Sequence, residues 1–362
     1  MNPSFKMKKH VAKNAGLFEK DSQMTRGRMA SPEQTIESKR VKAQLVKRIS
    51  SNLVNSHTAQ ALIRFRKSNL LAIGGRFADD DEEEALYRVG LWDLKTGKNI
   101  KTFGVEGSEY FKLKYFEEKE LLIGCSLSLN VWEANHAFSL ALSFEYERNL
   151  YDVDYIPRED RLIAVGYFSE VLVVNLQTFE LEEPLVFKAL QGNWITSVKY
   201  IRSRDVGVFW LFQLANVAIV NWNTKQVVAL VKGKFGSGGD FHHCWGLGFD
   251  EARSLIYAPL DNGVVAFWKL DTSSKPISCN LEKKIVNQLG WLYKVEYLPE
   301  LDAVAVSSYD AYLRIYLYNN PPIMTRIQAF DGSGFGLVYL PRSKQLLGMD
   351  DKSGRIAVLA LK

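Results

Sequence analysis

Residues 155–166 read YIPREDRLIAVG, residues 297–308 read YLPELDAVAVSS and residues 339–350 read YLPRSKQLLGMD. Each opens on a tyrosine and an aliphatic residue, turns on proline and polar side chains, and then runs into an apolar segment. A chain that writes one phrase three times is a repeat protein until shown otherwise, and the period of the repeat decides the architecture.

Working outward, the aliphatic-x-aromatic doublet ahead of each turn recurs as Ile63-x-Phe65, Leu113-x-Tyr115, Val153-x-Tyr155, Val198-x-Tyr200, Leu247-x-Phe249, Val295-x-Tyr297 and Leu337-x-Tyr339. The aromatic positions are 50, 40, 45, 49, 48 and 42 residues apart. A polar turn follows each one (EEKE at 117–120, RSRD at 202–205, DEAR at 250–253). Then come an apolar strand and a second strand ending in a bulky residue, as in GLWDL (90–94), NVWEA (130–134), AFWKL (266–270) and RIYLY (314–318). In the fourth copy, AIVNW (218–222), this register slides by up to two residues. β-branched and aromatic strands divided by turns every 8–12 residues mark an all-β chain, and the spacing fits a four-stranded repeat.

GLWDLKTGK at 90–98 resembles the end of a WD40 repeat, with Trp92-Asp93 as the dipeptide and KTGK as the following turn. The other copies degenerate to Trp132-Glu133, Trp268-Lys269 and Tyr316-Leu317. Asp261 and Asp310 stand where that family places the hairpin aspartate that bonds a histidine and orders the turn. Most of the family's Gly-His dipeptides are missing, and Ser56-His57 approximates one. The resemblance, over about residues 42–362, implies a seven-bladed β-propeller of four-stranded antiparallel blades and a scaffold that binds proteins or peptides.

Seven such blades need one strand more than the seven copies supply, because the chain ends at Lys362 after the third strand of the last copy. QLVKRIS at 44–50 is the expected donor, since closure removes an exposed sheet edge. Val41, Leu45, Ile49 and Leu53 offer a competing four-residue helical spacing. Residues 1–41 form a basic extension, with a short helix expected at 32–42 from the cap Ser31-Pro32.

Of 46 Lys and Arg, nine lie in residues 1–40 against four acids, so the rest of the chain is neutral. A neutral body disfavours a nucleic-acid surface over the whole domain. The tail reads as a solubilising or targeting arm, or as a dock for RNA or an acidic partner. The acidic run Asp79, Asp80, Asp81, Glu82, Glu83 and Glu84 lengthens the hairpin between the second and third strands of the first copy. It reads as a solvated loop or a dock for a basic partner. The uncharged stretch VGVFWLFQLANVAIVNWNT (206–224) approaches membrane-span length, but Gln213, Asn216 and Asn221 and the repeat register divide it into two strands. Three scattered cysteines suggest no disulfide framework, and no secretory signal opens the chain. An intracellular protein, cytoplasmic or nuclear, fits.

Chemistry is sparse. Phe241-His242-His243-Cys244 is the one His/Cys cluster, and no further ligands lie at zinc spacing. GSGGD (236–240) and DGSGFG (331–336) fail the dinucleotide and P-loop patterns and read as tight turns. No catalytic, metal or cofactor site is expected. Aromatics stand four residues ahead of the inner-strand aromatic at Phe111, Tyr151, Trp245, Tyr293 and Phe335, and Trp194 and Trp291 lie in preceding loops. Loops of this kind gather on one rim of a propeller. Trp194, His242, Trp245, Trp291 and Phe335 are therefore the candidate partner-binding residues, with blade packing as the alternative for those on strands. The expected function is a non-enzymatic scaffold or adaptor in a larger complex. The alternatives are an RNA-associated assembly factor using the tail, and a propeller enzyme with a site around His242 and Asp261.

Overall fold

In two copies the recurring aromatic closes its own turn. The Tyr155 hydroxyl donates to Asp160 Oδ1 at 3.0 Å and the Tyr200 hydroxyl to Asp205 Oδ1 at 2.6 Å, each five residues on. Asp160, Asp205 and Asp302 all take positive φ, a conformation that Asp tolerates better than most residues. In these two copies the phrase is thus a closed folding unit of a strand, a left-handed turn residue held by the strand's own tyrosine, and a return strand, whereas the Tyr339 hydroxyl donates to Glu300 and the Tyr297 hydroxyl accepts from Arg253.

The computed structural model describes residues 43–49, 61–65, 68–77, 86–105, 110, 112–232, 243–286, 291–318, 324–350 and 354–362. These form seven antiparallel sheets in chain order. Blade 1 comprises Ala61–Arg64, Leu70–Phe77, Leu86–Asp93 and Asn99–Phe103. Blade 2 comprises Lys112–Phe116, Leu121–Cys125, Ser128–Glu133 and Ser139–Glu145. Blade 3 comprises Leu150–Ile156, Arg161–Gly166, Glu170–Asn175 and an outer edge split into Glu180–Leu181 and Leu185–Val186. Blade 4 is Ile195–Ile201, Val206–Leu211, Asn216–Asn221 and Gln226–Lys232, so the uncharged stretch is two strands. Blade 5 is Gly248–Asp250, Leu255–Pro259, Val264–Asp271 and Ser278–Val286, and blade 6 is Leu292–Leu298, Ala303–Ser308, Tyr312–Leu317 and Met324–Gln328. Blade 7 takes Gly334–Leu340, Gln345–Asp350 and Ile356–Leu361 from the end of the chain. Its fourth strand is Ala43–Ile49, antiparallel to Ile356–Leu361. Ring closure, not the helical spacing, decides that segment.

The hydrophobic core is divided into seven clusters, one at each junction between neighbouring blades. Trp92, Trp132, Trp268 and Tyr316 are buried and reach back onto the preceding blade. An aromatic of this size withdraws about 150–250 Å² from water. In blade 4 the tryptophan is displaced by two residues. Val220 pairs with Gly207 where Ile256 pairs with Trp268, and Trp222 lies against Gly207 instead. Asp93 accepts from the backbone N–H of Lys95 at 2.7 Å and of Thr96 at 2.8 Å, ordering the turn into the outer strand. Asn175 and Asn221 do the same in blades 3 and 4.

The glycine-rich DGSGFG is only half a turn. Gly334 and Gly336 lie within the inner strand of blade 7. A Cβ on Gly334 would come within 2.2 Å of the Phe330 ring, and one on Gly336 within 2.7 Å of Leu62 Cβ. Close approach, not turn geometry, requires glycine there. The expected helix at 32–42, the acidic run 79–84, GSGGD, Phe111 and His242 lie outside the described residues.

Candidate functional site

Antiparallel pairing puts the loops leading into each inner strand at the same end of the ring as the hairpins between second and third strands. At this end the inner strands of blades 3, 4, 6 and 7 carry a β-bulge. The additional residues are Tyr151, Thr196, Tyr293 and Phe335, each opposed by no partner residue in the ladder. A bulge re-aims the side chain it carries. This is the physical origin of the aromatic four residues ahead of the inner-strand tyrosine.

The re-aimed rings join others from the loops into one array. Phe335 lies on Tyr293 with centroids 4.0 Å apart, and Tyr293 lies 6.2 Å from Trp245. Trp245 stacks on His243 at 5.1 Å and His243 meets Phe212 at 4.3 Å. Phe212 stacks on Trp194 at 5.6 Å, Trp194 lies 4.7 Å from Tyr167, and Tyr167 lies 4.5 Å from Tyr151. Trp245 also approaches Tyr151 at 6.2 Å. With rings this close together, the array is a filled platform rather than a cage around a void. Its solvent-facing members are Trp194, 39% exposed, with Leu214 beside the same hairpin. On blade 6 of the same rim, Trp291, 44% exposed, meets Tyr309, 64% exposed, edge-on at 6.4 Å.

Four of the five candidates thus fall on this rim, and the structure separates them. Trp194 and Trp291 are exposed, Trp245 is partly covered at the centre of the array, and Phe335 is buried against Tyr293. Tyr167, Phe212, Tyr309 and His243 were not among the candidates. The first three share a place in the repeat, just past the second strand in GYFSE, LFQLA and SYDAY. That alignment was the available signal. His243 belongs to the site through its ring, which burial holds below its ordinary pKa against the opposing pull of Asp261.

The loop under the platform is held from the channel. Asp152, buried on the inner strand of blade 3, accepts from the Ser197 hydroxyl at 2.7 Å and the Val198 N–H at 3.1 Å. Lys114 pairs with it at 2.9 Å and Lys112 at 3.8 Å. Lys112 then donates to the Trp245 carbonyl at 2.8 Å, and Ser197 Oγ accepts the Leu247 N–H at 3.1 Å. Gly246 between them leaves room for the lysine, since a Cβ there would lie 2.8 Å from Lys112 Nζ. Burial pushes Lys112 down to about 8, with Asp152 opposing. Burial would raise the Asp152 carboxyl, but Lys112 and Lys114 together hold it well below the usual carboxylate range.

The hairpin aspartates behave differently from one another. Asp261 accepts the backbone N–H of His243 at 2.9 Å, tying the loop into blade 5 to its hairpin. Asp310 instead accepts from Arg314 Nη1 at 2.8 Å, a guanidinium buried in its own blade, and from Ser308. Cys244 is buried and pushed up to about 12, which makes it inert as a nucleophile. Among the described residues, no three His, Cys, Asp or Glu side chains are grouped to hold a metal, and no helix is long and apolar enough to cross a membrane.

This geometry defines a seven-bladed β-propeller of four-stranded antiparallel blades. Its fold is similar to the β-propeller domain of Cps50 (Swd1) from Myceliophteria thermophila, with a TM-score of 0.71 and 16% identity over 89% of this chain and 100% of that one. No family model matches the chain, and no curated protein matches it. At that identity the likeness is one of fold, and 1689 solved chains share it, so the fold does not single out a partner.

Proposed function

We propose that this chain is a non-enzymatic scaffold that binds another protein through the aromatic rim of blades 3 to 7, as a subunit or adaptor of a larger intracellular complex. The observation that carries this reading is the exposure of Trp194, within the packed aromatic array, and of Trp291, beside Tyr309 on the same rim. Large rigid aromatics anchor interfaces at low entropic cost, because few rotamers are lost on binding. The chemistry of the described residues supports the non-enzymatic half. The buried ion pairs on this side of the channel are consumed in holding the loop below the rim.

The test is a comparison of proteins retained by the wild type and by a Trp194→Ala/Trp291→Ala variant of equal thermal stability. The reading requires a partner that the variant loses. Equal recovery on both baits contradicts it. A second reading assigns RNA to the basic segment 1–40, favoured by its net charge. It requires that deleting that segment flatten the salt dependence of RNA binding.

A further inference from the structure

At the end of the ring opposite the aromatic rim, the turns between first and second strands are joined from blade to blade. Lys119 of blade 2 donates to Asp160 of blade 3 at 2.7 Å, Arg158 of blade 3 donates to Asp205 of blade 4 at 2.7 Å, and Arg253 of blade 5 pairs with Asp302 of blade 6. Each receiver is a left-handed residue immediately ahead of its second strand. Between blades 4 and 5 the residue in that position is Ser254, with φ of 55°. It offers Arg204 a neutral hydroxyl at 2.9 Å where the other three steps offer a carboxylate.

A cavity of about 480 Å³ opens at this uncharged step. Arg204, Ser254, Lys269, Thr272, Ser278 and Asn280 line it. Lys269 donates to the Arg253 carbonyl. Among the described residues, Arg204 and Lys269 form no ion pair, and each spends a single donor on a neutral acceptor. The acid of the lining, Asp271, is engaged in its own turn, where Oδ1 accepts the Ser273 N–H at 2.9 Å and the Ser273 hydroxyl at 2.6 Å. A guanidinium, an ammonium, several hydroxyls and a side-chain amide can thus all donate into one cavity.

We propose that this cavity between the turns of blades 4 and 5 binds a phosphoryl group, free or on a small ester, with Arg204 and Lys269 as its cationic partners. A phosphoryl group carries acceptor oxygens in three directions, so the guanidinium, the ammonium and the hydroxyls can bond it together. A carboxylate has two coplanar oxygens, which match the arginine fork and leave the lysine and the hydroxyls unused. The volume lies in the range of small-ligand sites and leaves room for a group esterified to the phosphate. The site is at the end of the ring away from the aromatic rim and does not depend on the reading given to that rim.

The test is thermal unfolding of the full chain with inorganic phosphate, glycerol 3-phosphate or succinate, each against sodium chloride of equal ionic strength. Wild type is expected to gain about 2–4 °C from a phosphoryl probe at roughly ten times its Kd. A gain from both probes assigns the free anion as a ligand, and a gain from the ester alone assigns the esterified group. Arg204→Gln and Lys269→Met, at exposed positions, lose most of the gain. Ser254→Asp loses it as well and raises Tm in chloride, because aspartate takes the same left-handed conformation in the other three steps and supplies the missing charge. Lys188→Ala, at the opposite end of the ring, keeps the gain. General effects of the salts on the folded surface are common to all variants, so the differences between variants read the site. A wild type that gains nothing over chloride from either phosphoryl probe overturns the proposal, as does an undiminished gain in Arg204→Gln or Ser254→Asp. A gain from succinate equal to that from the phosphoryl probes also overturns it.

Discussion

The Lys112 ammonium, on the inner strand of blade 2, donates to the Trp245 carbonyl in the loop ahead of blade 5 at 2.8 Å, across 133 residues of sequence. In a seven-membered ring these blades stand on opposite sides, so the contact braces the channel from wall to wall. It also seats the centre of the aromatic platform. The brace originates at Asp152, which holds Lys112 on one side and Ser197 on the other.

Asp152→Asn is therefore expected to be costly. It leaves two buried ammonium groups with a neutral partner, a loss of about 3–5 kcal/mol by comparison with broken buried pairs. Lys112→Met, which leaves Lys114 on Asp152 and loses one bond to a carbonyl, is expected to cost about 1–1.5 kcal/mol. Urea denaturation of the two variants checks the order, and a larger loss in Lys112→Met refutes the hub.

The same cluster sets a pH dependence with two signs. Asp152 is depressed, so its contribution is complete above the unfolded carboxylate value near 4 and disappears as pH falls below it. Lys112 is also depressed, to about 8, and for a lysine this means that folding disfavours its charged form. Between about pH 8 and 10.5 the unfolded chain binds more protons at this site, so its contribution to stability rises with pH. Urea midpoints measured across both windows should show a flattened acid limb in Asp152→Asn and a loss of the alkaline rise in Lys112→Met.

Packing and recognition aromatics should separate by stability. Trp268→Ala, in the junction of blades 4 and 5, should cost about 3–5 kcal/mol. Trp194→Ala and Trp291→Ala remove partly exposed rings and should each cost less than about 1.5 kcal/mol. Thermal or urea unfolding of the three variants decides it.

Gly334→Ala tests the close approach in blade 7. The added methyl meets the Phe330 ring at 2.2 Å, and a shift of that buried ring should cost about 1–3 kcal/mol. Phe330→Leu in the same chain should recover part of the loss. A neutral Gly334→Ala would show that the strand needs no glycine.

Much of this frame could be read directly from the sequence. The aromatic-turn-strand phrase gave the blade count because each copy must fold its own turn, and the closing strand followed from the missing edge. Three features resisted. Trp222 seemed out of register because glycine at 207 lets the ring sit two residues later, a three-dimensional compensation that no single repeat displays. The bulges at Tyr151, Tyr293 and Phe335 leave no local mark, since an additional residue in a strand looks like any other. The Asp152 cluster joins four blades, and its members are tens to more than a hundred residues apart. Its one trace was charge on buried inner strands, at Lys112, Asp152 and Lys294. The site followed the same pattern: the loop tryptophans stood out, whereas His243 emerged only when the ring brought it between Phe212 and Trp245.

The central claim is that partners dock on the aromatic rim and not on the opposite end. Site-directed photo-crosslinking addresses it most directly, with the reactive group placed at position 194, at 291 or, on the far side, at 96. Adducts to one partner from 194 and 291 but not from 96 are the predicted result. Adducts from 96 alone, or from all three positions equally, would contradict it.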